Sequence, residues 1–250
     1  MPTNTIGKKF IEKTKYPNLE DSPQRQGVPQ PELQWPYDTA AALIDLPDPK
    51  SAALAVSDLR ALIAKRESLR DYSRDPLSLA ELSYLLWGTQ GLRELNAEKK
   101  FTKRTVPSAG ARHPFETWLL VNNVSGLQPG LYRYLALEHK LLALPASPDI
   151  AANLAVACKK QPHVQTSAVT FFWVALPERV VWRYSQRGYR YLHLDAGHIC
   201  QNLYLLAESI GCGVCAIAAY DDDAVNALLG LDGERLFTAY IATLGRRAEK

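Results

Sequence analysis

The chain has 250 residues, 47% of them hydrophobic and 22% charged, which is enough to bury a substantial core without disulfides or a structural metal. Its 29 lysines and arginines nearly balance 26 acidic residues, and a net charge of +3 argues against a nucleic-acid partner. The sequence contains neither an apolar run long enough to span a bilayer nor an N-terminal apolar signal core. We therefore expect a cytoplasmic protein with no membrane partner. Four cysteines in a chain of this size do not indicate a secreted disulfide framework.

The first 50 residues contain half of the 16 prolines. Proline fixes φ and cannot donate a backbone hydrogen bond, so regular elements are disfavoured there. We interpret residues 1–50 as a proline-rich N-terminal extension, an extended arm. The arm is either a mobile tail or is pinned to a surface by Trp35, Pro36 and Tyr37. Residues 51–250 form the main domain.

Helix and strand signals become regular in this second part. Apolar spacing predicts a helix over residues 57–66, and a Ser78–Glu81 capping box begins a second helix, which Gly88 or Gly91 ends. The polar, basic stretch at 92–104 is expected to be a loop. The remaining predicted elements are strands at 117–122 and 130–136, a helix at 148–159, a strand at 168–176, a long helix at 191–210, a strand at 214–219, a helix from 221 to about 230 and a strand at 236–244. Such irregular mixing indicates a layered α/β or α+β domain.

The long predicted helix carries two stripes. Apolar residues recur at spacings of three and four from Leu192 to Ile210, as expected for a buried face. Asp195, His198 and Asn202 form a polar stripe away from it. We expect this polar stripe to face solvent or an interface.

The first candidate binding motif is Arg66-Glu67-Ser68-Leu69-Arg70. Positions 66 and 70 share a face whether the segment is extended or helical, so two guanidinium groups converge. Arginine's fork of donors matches phosphate oxygens, and Ser68 would add a hydroxyl donor. The alternative, which this motif alone favours, is two solvated arginines at the negative end of the preceding helix.

The second candidate is the segment PSAGARHP at residues 107–114. Small residues between two prolines form a constrained loop whose backbone N–H groups can approach a flat ligand closely. The alternative is a tight turn into the following strand. A nucleophilic Ser108 paired with His113 is disfavoured because the Gly-x-Ser-x-Gly motif is absent.

The third candidate is the pair Cys212 and Cys215 in the segment GCGVCAIAA at 211–219. A C-x-x-C pair can be a redox couple or half of a zinc site. The sequence has no second C-x-x-C and no paired histidines, so we expect no metal. We favour a packing role among small residues that leave room for a backbone. P-loop and dinucleotide fingerprints are also absent.

The order of the motifs is more informative than any one of them. The two arginines at 66 and 70 are followed by LLWGTQG at 85–91, PSAGARHP at 107–114, GLYRY at 130–134, RGYRY at 187–191, DAGH at 195–198, QNL at 201–203, GCG at 211–213, LLGLDG at 228–233 and GRR at 245–247. Over about residues 60–247 this series resembles the flavin-dependent nitroreductase family. It is most similar to the SagB-type dehydrogenases, whose characterised members oxidise azoline rings in peptide natural products.

The resemblance implies an α+β fold of three α-β-α layers around a mixed or antiparallel sheet, in an interlocked homodimer with FMN at the subunit interface. By position, the FMN phosphate and ribityl chain would be held by Arg66, Ser68 and Arg70, with Arg246 and Arg247 as late phosphate-binding cations. The other subunit would place Pro107, Ser108, Ala109 and Gly110 against the isoalloxazine ring. The segment Ala216, Ile217, Ala218 and Ala219 would run under the ring, with a backbone N–H of Ala218 or Ala219 near its N5 atom.

The implied activity is an FMN-dependent oxidoreductase. NAD(P)H would reduce the flavin, and a nitroaromatic, quinone or related acceptor would take the electrons, or a small ring substrate would be dehydrogenated. The alternative is a non-catalytic flavin-binding subunit of a peptide-modifying complex. Glu67 departs from the family pattern, and we expect its side chain to point away from the phosphate. Where azoline oxidisers carry a Lys-Tyr pair the chain reads Arg183-Tyr184, and because arginine is a poor proton acceptor this disfavours azoline oxidation.

Overall fold

In the computed structural model, which describes residues 5–96, 98 and 100–248, an antiparallel sheet forms the centre of the molecule. The strands are β1 (Leu43–Asp45), β2 (Leu92–Asn96), β3 (Phe101–Arg104), β4 (Phe115–Val121), β5 (Gly130–Leu135), β6 (Lys140–Leu144), β7 (Val169–Ala175), β8 (Cys212–Ile217) and β9 (Phe237–Arg246). The helices are α1 (Ile6–Lys13), α2 (Leu59–Lys65), α3 (Leu79–Gln90), α4 (Ile150–Ala157), α5 (His163–Thr166), α6 (Glu178–Tyr184), α7 (Gly188–Ser209) and α8 (Asp222–Leu229).

The central sheet has the order β1-β6-β5-β4-β7-β9-β8, and every neighbouring pair is antiparallel. Side chains alternate along the buried strand β7, with Phe171 and Trp173 in one core and Phe172 in the other. Helices α3 and α7 cover the first face, and α4 and α8 cover the second. The predicted α+β fold with three α-β-α layers is therefore confirmed. No helix in the described ranges is both long and apolar enough to cross a bilayer.

Helix α3 follows its local sequence signals. The Ser78 hydroxyl accepts from the backbone N–H of Glu81 at 3.2 Å, and the Glu81 carboxylate accepts from the N–H of Ser78 at 2.8 Å. Gly91 is the C-cap, and its N–H donates to the Trp87 carbonyl at 2.7 Å. The predicted capping box and the ending at Gly91 are confirmed.

Several predicted boundaries are wrong. The stretch at 92–104 is not a loop but contains the hairpin of β2 and β3, in which Thr102 and Arg104 point inward and are buried. Because charged residues occupy both buried and exposed positions of this hairpin, its sequence lacks the alternation of apolar and polar residues that predicts a strand. Helix α7 begins at Gly188, three residues before the predicted start. Five short elements, α1, β1, β6, α5 and α6, were not predicted.

The N-terminal extension is only partly an extended arm, because it also contains α1 and β1. The middle of the extension is bound to the rest of the protein, in agreement with the alternative in which the arm is attached to a surface. The N–H of Trp35 donates to Glu116 Oε1 at 2.7 Å, and Arg133 donates to the carbonyls of Pro36 and Trp35. Arg179 Nε donates to the Glu32 carbonyl at 2.8 Å. Backbone polar groups of the extension thus satisfy buried charged side chains of the sheet and of α6.

Candidate active site

Residues 66–70 run beside the edge strand β8. Helix α2 ends at Lys65, and the backbone of its C-cap residue, Arg66, is no longer helical. Ser68 then pairs with Val214 in an isolated parallel bridge, and the N–H of Leu69 donates to the Val214 carbonyl at 2.9 Å. A Cβ on Gly213 would lie 2.5 Å from the Leu69 side chain, so glycine is needed for this close approach. The motif is therefore extended, and local packing fixes it against the sheet.

Tyr204 of α7 connects this motif to β8. The guanidinium of Arg66 lies 5.3 Å from the ring centroid of Tyr204, and the Ser68 hydroxyl lies 3.1 Å from the Tyr204 hydroxyl. The Tyr204 hydroxyl also accepts a hydrogen bond from the N–H of Ala216 at 2.9 Å. Arg70 is exposed. Within the part of the chain that the structure describes, neither Arg66 nor Arg70 forms a salt bridge.

This donor set fits a phosphate. Two cations and a hydroxyl are held on one extended segment, and no carboxylate in the described ranges neutralises the cations. Arginine's planar fork and a hydroxyl supply charge-assisted donors suited to phosphate oxygens. The predicted roles of Arg66, Ser68 and Arg70 stay predictions, and the geometry is compatible with them.

The two late arginines are placed differently. Arg246 donates to both carboxylate oxygens of Glu81 at 2.7 Å and to the Ile210 carbonyl at 3.0 Å. Arg247 donates to Glu67 at 2.8 Å and to the buried carboxylate of Glu208. Both cations thus have counterions in the protein, and their role as phosphate ligands stays a prediction.

At the C-terminal end of β8 the side chains are small, which leaves the backbone accessible. Ala216 is half-buried, and Ala218 and Ala219 are exposed beyond the strand. The side chain of Ile217 belongs to the core on the opposite side of the sheet from α7. A ligand lying along this end of β8 would therefore meet small methyl groups and the exposed backbone of Ala218 and Ala219, as the resemblance implies for a flat ring.

A buried carboxylate on α7 fixes the 107–114 loop. The Ser108 hydroxyl donates to Asp195 Oδ2 at 2.5 Å and accepts from the N–H of His113 at 2.9 Å. Burial raises the pKa of Asp195, although Ser108 and the backbone of Ala109 act in the opposite direction. The expected solvent-facing or interface position is wrong for Asp195, which is only 3% exposed.

The same loop is held in an unusual backbone conformation. Gly110, Ala111 and His113 all have positive φ angles, of 59°, 54° and 44°. Non-glycine residues rarely adopt such angles, and strain of this kind concentrates at functional sites. A Cβ on Gly110 would lie 2.6 Å from the Tyr184 hydroxyl and 3.0 Å from Arg183 Cδ. The loop therefore packs directly against the pair that departs from the azoline-oxidising pattern.

Cys212 and Cys215 are buried and unpaired. Three residues apart on β8, they point to opposite faces of the strand and cannot form a disulfide with each other. Burial raises the pKa of Cys212 to about 12 and also raises that of Cys215, which keeps both as thiols at neutral pH. These positions agree with the predicted packing role. The described residues contain no cluster of three or more His, Cys, Asp or Glu side chains that could hold a metal.

Sequence comparisons identify the family to which the chain belongs. The nitroreductase family matches residues 63–246. The chain is 32% identical over 191 residues to MJ1384 of Methanocaldococcus jannaschii, which is named as a nitroreductase, covering 76% of this chain and 92% of the relative. It is 30% identical to the trifolitoxin-processing protein TfxB of Rhizobium leguminosarum and 27% identical to the microcin B17-processing protein McbC of Escherichia coli. Those two matches cover 52% of this chain but only 36% and 49% of the relatives.

Solved structures show the same fold. A structure named as a nitroreductase from Ralstonia eutropha superposes with a TM-score of 0.68 at 23% identity, covering 89% of this chain and 95% of that one. The E. coli microcin synthetase McbBCD complex gives a TM-score of 0.62 at 22% identity, over 80% of this chain and 76% of the matched chain. The fold, the family match over most of the chain and the order of the motifs agree, and the protein belongs to the nitroreductase family.

Proposed function

We propose that the protein is an FMN-dependent oxidoreductase in which NAD(P)H reduces the flavin and a second small molecule reoxidises it. The observation that carries the proposal is the extended 66–70 segment beside β8, which offers two cations and a hydroxyl without a protein counterion in the described ranges. Family membership makes FMN the group that such donors would hold. When bound, FMN supplies hydride and electron-transfer chemistry that amino-acid side chains do not provide.

The chain's own residues would bind the flavin, orient its ring and cover it. Arg66, Ser68 and Arg70 would hold the phosphate, and Tyr204 keeps the Ser68 hydroxyl beside β8. A backbone N–H of Ala218 or Ala219 would lie near the N5 atom of the ring, since the N–H of Ala216 already donates to the Tyr204 hydroxyl. The bond between Ser108 and Asp195 fixes the loop that would cover the ring from the partner subunit. The acceptor would be a nitroaromatic, a quinone or a small ring substrate.

Release and identification of the flavin test the proposal directly. We expect purified protein to be yellow, to release FMN and not FAD on denaturation, and to bleach when NADH or NADPH is added without oxygen. Recovery of the colour with a quinone or a nitroaromatic would complete the cycle. A colourless protein that gains no flavin absorbance after incubation with FMN would contradict the proposal.

A second candidate is a flavin-binding subunit of a peptide-modifying complex. It is supported by the similarity to two peptide-processing proteins, TfxB and McbC, and by the structural likeness to a chain of the McbBCD complex. Yellow protein that keeps its colour with both NADH and NADPH would favour this candidate over the first.

We further propose a homodimer with α7 at or near the interface, because a loop from one subunit must reach the flavin of the other. Leu194 and Gly197 lie on α7 beside its polar stripe, and both are exposed. The protein's own chain therefore leaves this part of the helix surface uncovered. Sedimentation at micromolar concentration should give a stable dimer. A flavin-loaded monomer under the same conditions would contradict this assembly, since Ser108 could not then reach the ring from a partner.

Removing both strand cysteines should leave the chemistry intact. A Cys212→Ser, Cys215→Ser double variant is expected to retain FMN and most NAD(P)H-dependent reductase activity, because both thiols are buried and protonated. It should lose about 1–3 kcal/mol of unfolding free energy per buried hydroxyl that finds no partner. Flavin content, turnover and chemical denaturation measure the three effects. Lost turnover with full flavin occupancy and an intact dimer would instead restore the redox-pair hypothesis.

A further inference from the structure

A cavity of about 360 Å³ lies between the N-terminal extension and α6. It adjoins Gly110 and Ala111 of the strained loop. The side chains that matter for its chemistry are Gln24 and Gln30 from the extension, Phe101 from β3, Arg112, and Trp182 and Arg183 from α6. The cavity therefore combines aromatic walls with amide and guanidinium donors.

The charged groups lining this cavity are both cations. Arg112 is only 7% exposed, and its Nε donates to the Gly110 carbonyl at 2.9 Å. Its guanidinium lies 5.4 Å from the ring centroid of Trp182. Burial lowers the pKa of Arg112, and the nearby positive charge of Arg183 lowers it further. No lining residue of the cavity is acidic.

Two other buried arginines have a carboxylate partner, whereas Arg112 does not, and the equally buried Arg104 donates instead to Gln90 and to the Leu33 carbonyl. Arg133 and Arg179, which are also almost fully buried, share the carboxylate of Glu116 at 3.1 and 2.6 Å. A buried charge is costly unless it is paired, so folded proteins normally provide a counterion. The buried Arg112, by contrast, forms no salt bridge within the described ranges, and neither does Arg183, which is exposed to solvent at the mouth of the cavity. Their convergence at an open cavity leaves room for an anion from outside the protein.

The walls of the cavity are held in place by the extension. The N–H of Gln24 donates to the Trp182 carbonyl at 2.8 Å, and the indole N–H of Trp182 donates to the Val28 carbonyl at 2.7 Å. The Gln30 amide also donates to the Lys100 carbonyl at the hairpin. These bonds fix the backbone at Gln24, the indole of Trp182 and the side-chain amide of Gln30 before a ligand arrives, which lowers the entropic cost of binding.

We propose that this cavity is an oxyanion-binding subsite in which Arg112 and Arg183 hold a carboxylate or phosphate group and Trp182 packs against the attached ring or chain. The inference rests on the proposed function only in placing the subsite beside the flavin through Gly110. The anion would belong either to the electron acceptor, as a carboxylate, or to NAD(P)H, as a phosphate. In both cases the positively charged subsite makes anionic ligands preferred over neutral ones of the same shape.

Direct titration of purified protein with benzoate, and with benzamide as its neutral isostere, tests the subsite without requiring turnover. We expect benzoate to bind more tightly than benzamide. Arg183→Gln should weaken benzoate roughly ten- to a hundredfold, the effect of losing one charge-assisted hydrogen bond. Arg60→Gln, which removes the same charge from an exposed position on α2, should not. Equal binding of the two probes to the wild type, or unchanged benzoate binding in Arg183→Gln, would overturn the proposal.

Kinetics then separate the two sources of the anion. A carboxylated acceptor predicts that Arg183→Gln raises KM for 4-nitrobenzoate and leaves nitrobenzene unchanged. A phosphate of the reductant predicts slower flavin reduction by NAD(P)H, with both acceptors affected equally. Arg112→Lys is a second variant that keeps the charge but loses the fork, and it should weaken benzoate by a smaller factor. Because the benzoate titration needs no turnover, absence of flavin chemistry would refute the proposed function and leave the subsite measurable.

Discussion

Replacing Glu116 with alanine should lower the free energy of unfolding by about 3–5 kcal/mol, the effect of leaving buried charges without their partner. The carboxylate contacts Arg179 at 2.6 Å and Arg133 at 3.1 Å, and all three side chains are at most 4% exposed. The buried Arg104 adds a third nearby positive charge. Loss of the single carboxylate would leave an uncompensated cationic cluster at the centre of the sheet.

The measurement is urea or guanidinium denaturation of the variant against wild type. Glu94→Ala is the matched control, because its ion pair with Lys103 is about half exposed on both sides and should contribute under about 1 kcal/mol. Limited proteolysis provides a second readout. Since Glu116 also accepts from the N–H of Trp35, the extension should become more susceptible to cleavage in Glu116→Ala. Equal losses in the two variants would contradict the central role of Glu116.

The same carboxylate should contribute to acid sensitivity. Burial favours its neutral form, but Arg179, Arg133 and Arg104 outweigh burial and lower the pKa of Glu116 below its ordinary value of 4.5. A carboxyl whose pKa is lower in the folded state stabilises the protein above its unfolded pKa, and this contribution is lost as the pH falls through the folded value. The neutral variant Glu116→Gln should therefore show a flatter pH dependence of stability below about pH 4.5.

Removing the exposed arginine of the 66–70 motif should weaken FMN binding. Arg70→Ala is expected to lose about 1.5–3 kcal/mol, or roughly ten- to a hundredfold in affinity, because one charge-assisted hydrogen bond to the phosphate disappears. Fold stability should change little, since Arg70 is exposed and forms no salt bridge within the described ranges. Fluorescence titration of flavin-free protein with FMN measures the affinity.

Two comparisons make that experiment specific. Arg70→Lys keeps the charge without the planar fork and should fall between the wild type and alanine. Arg74→Ala removes an exposed arginine four positions away and should leave FMN affinity unchanged. If Arg70→Ala bound FMN as tightly as the wild type, the phosphate assignment of the motif would be wrong.

Elements whose causes are local could be predicted from the sequence alone. The capping box at Ser78 and Glu81 and the glycine at 91 set the limits of α3, because each acts through neighbours within one helical turn. The apolar stripe of α7 and the buried run of β7 were visible for the same reason. The motif at 66–70 was also apparent, since two positions four residues apart converge in either conformation.

The contacts between residues distant in sequence could not be predicted and follow from how the chain packs. The sequence places Asp195 on a polar face, yet it accepts a hydrogen bond from Ser108, 87 positions away in sequence, and is buried. The hairpin at 92–104 was missed because Arg104 is buried among groups brought in from Gln90 and the extension. Arg112 and Arg183 approach one another because the strained loop packs against α6. Burial and charge pairing across such separations depend on chain packing, which local propensity and periodicity do not encode.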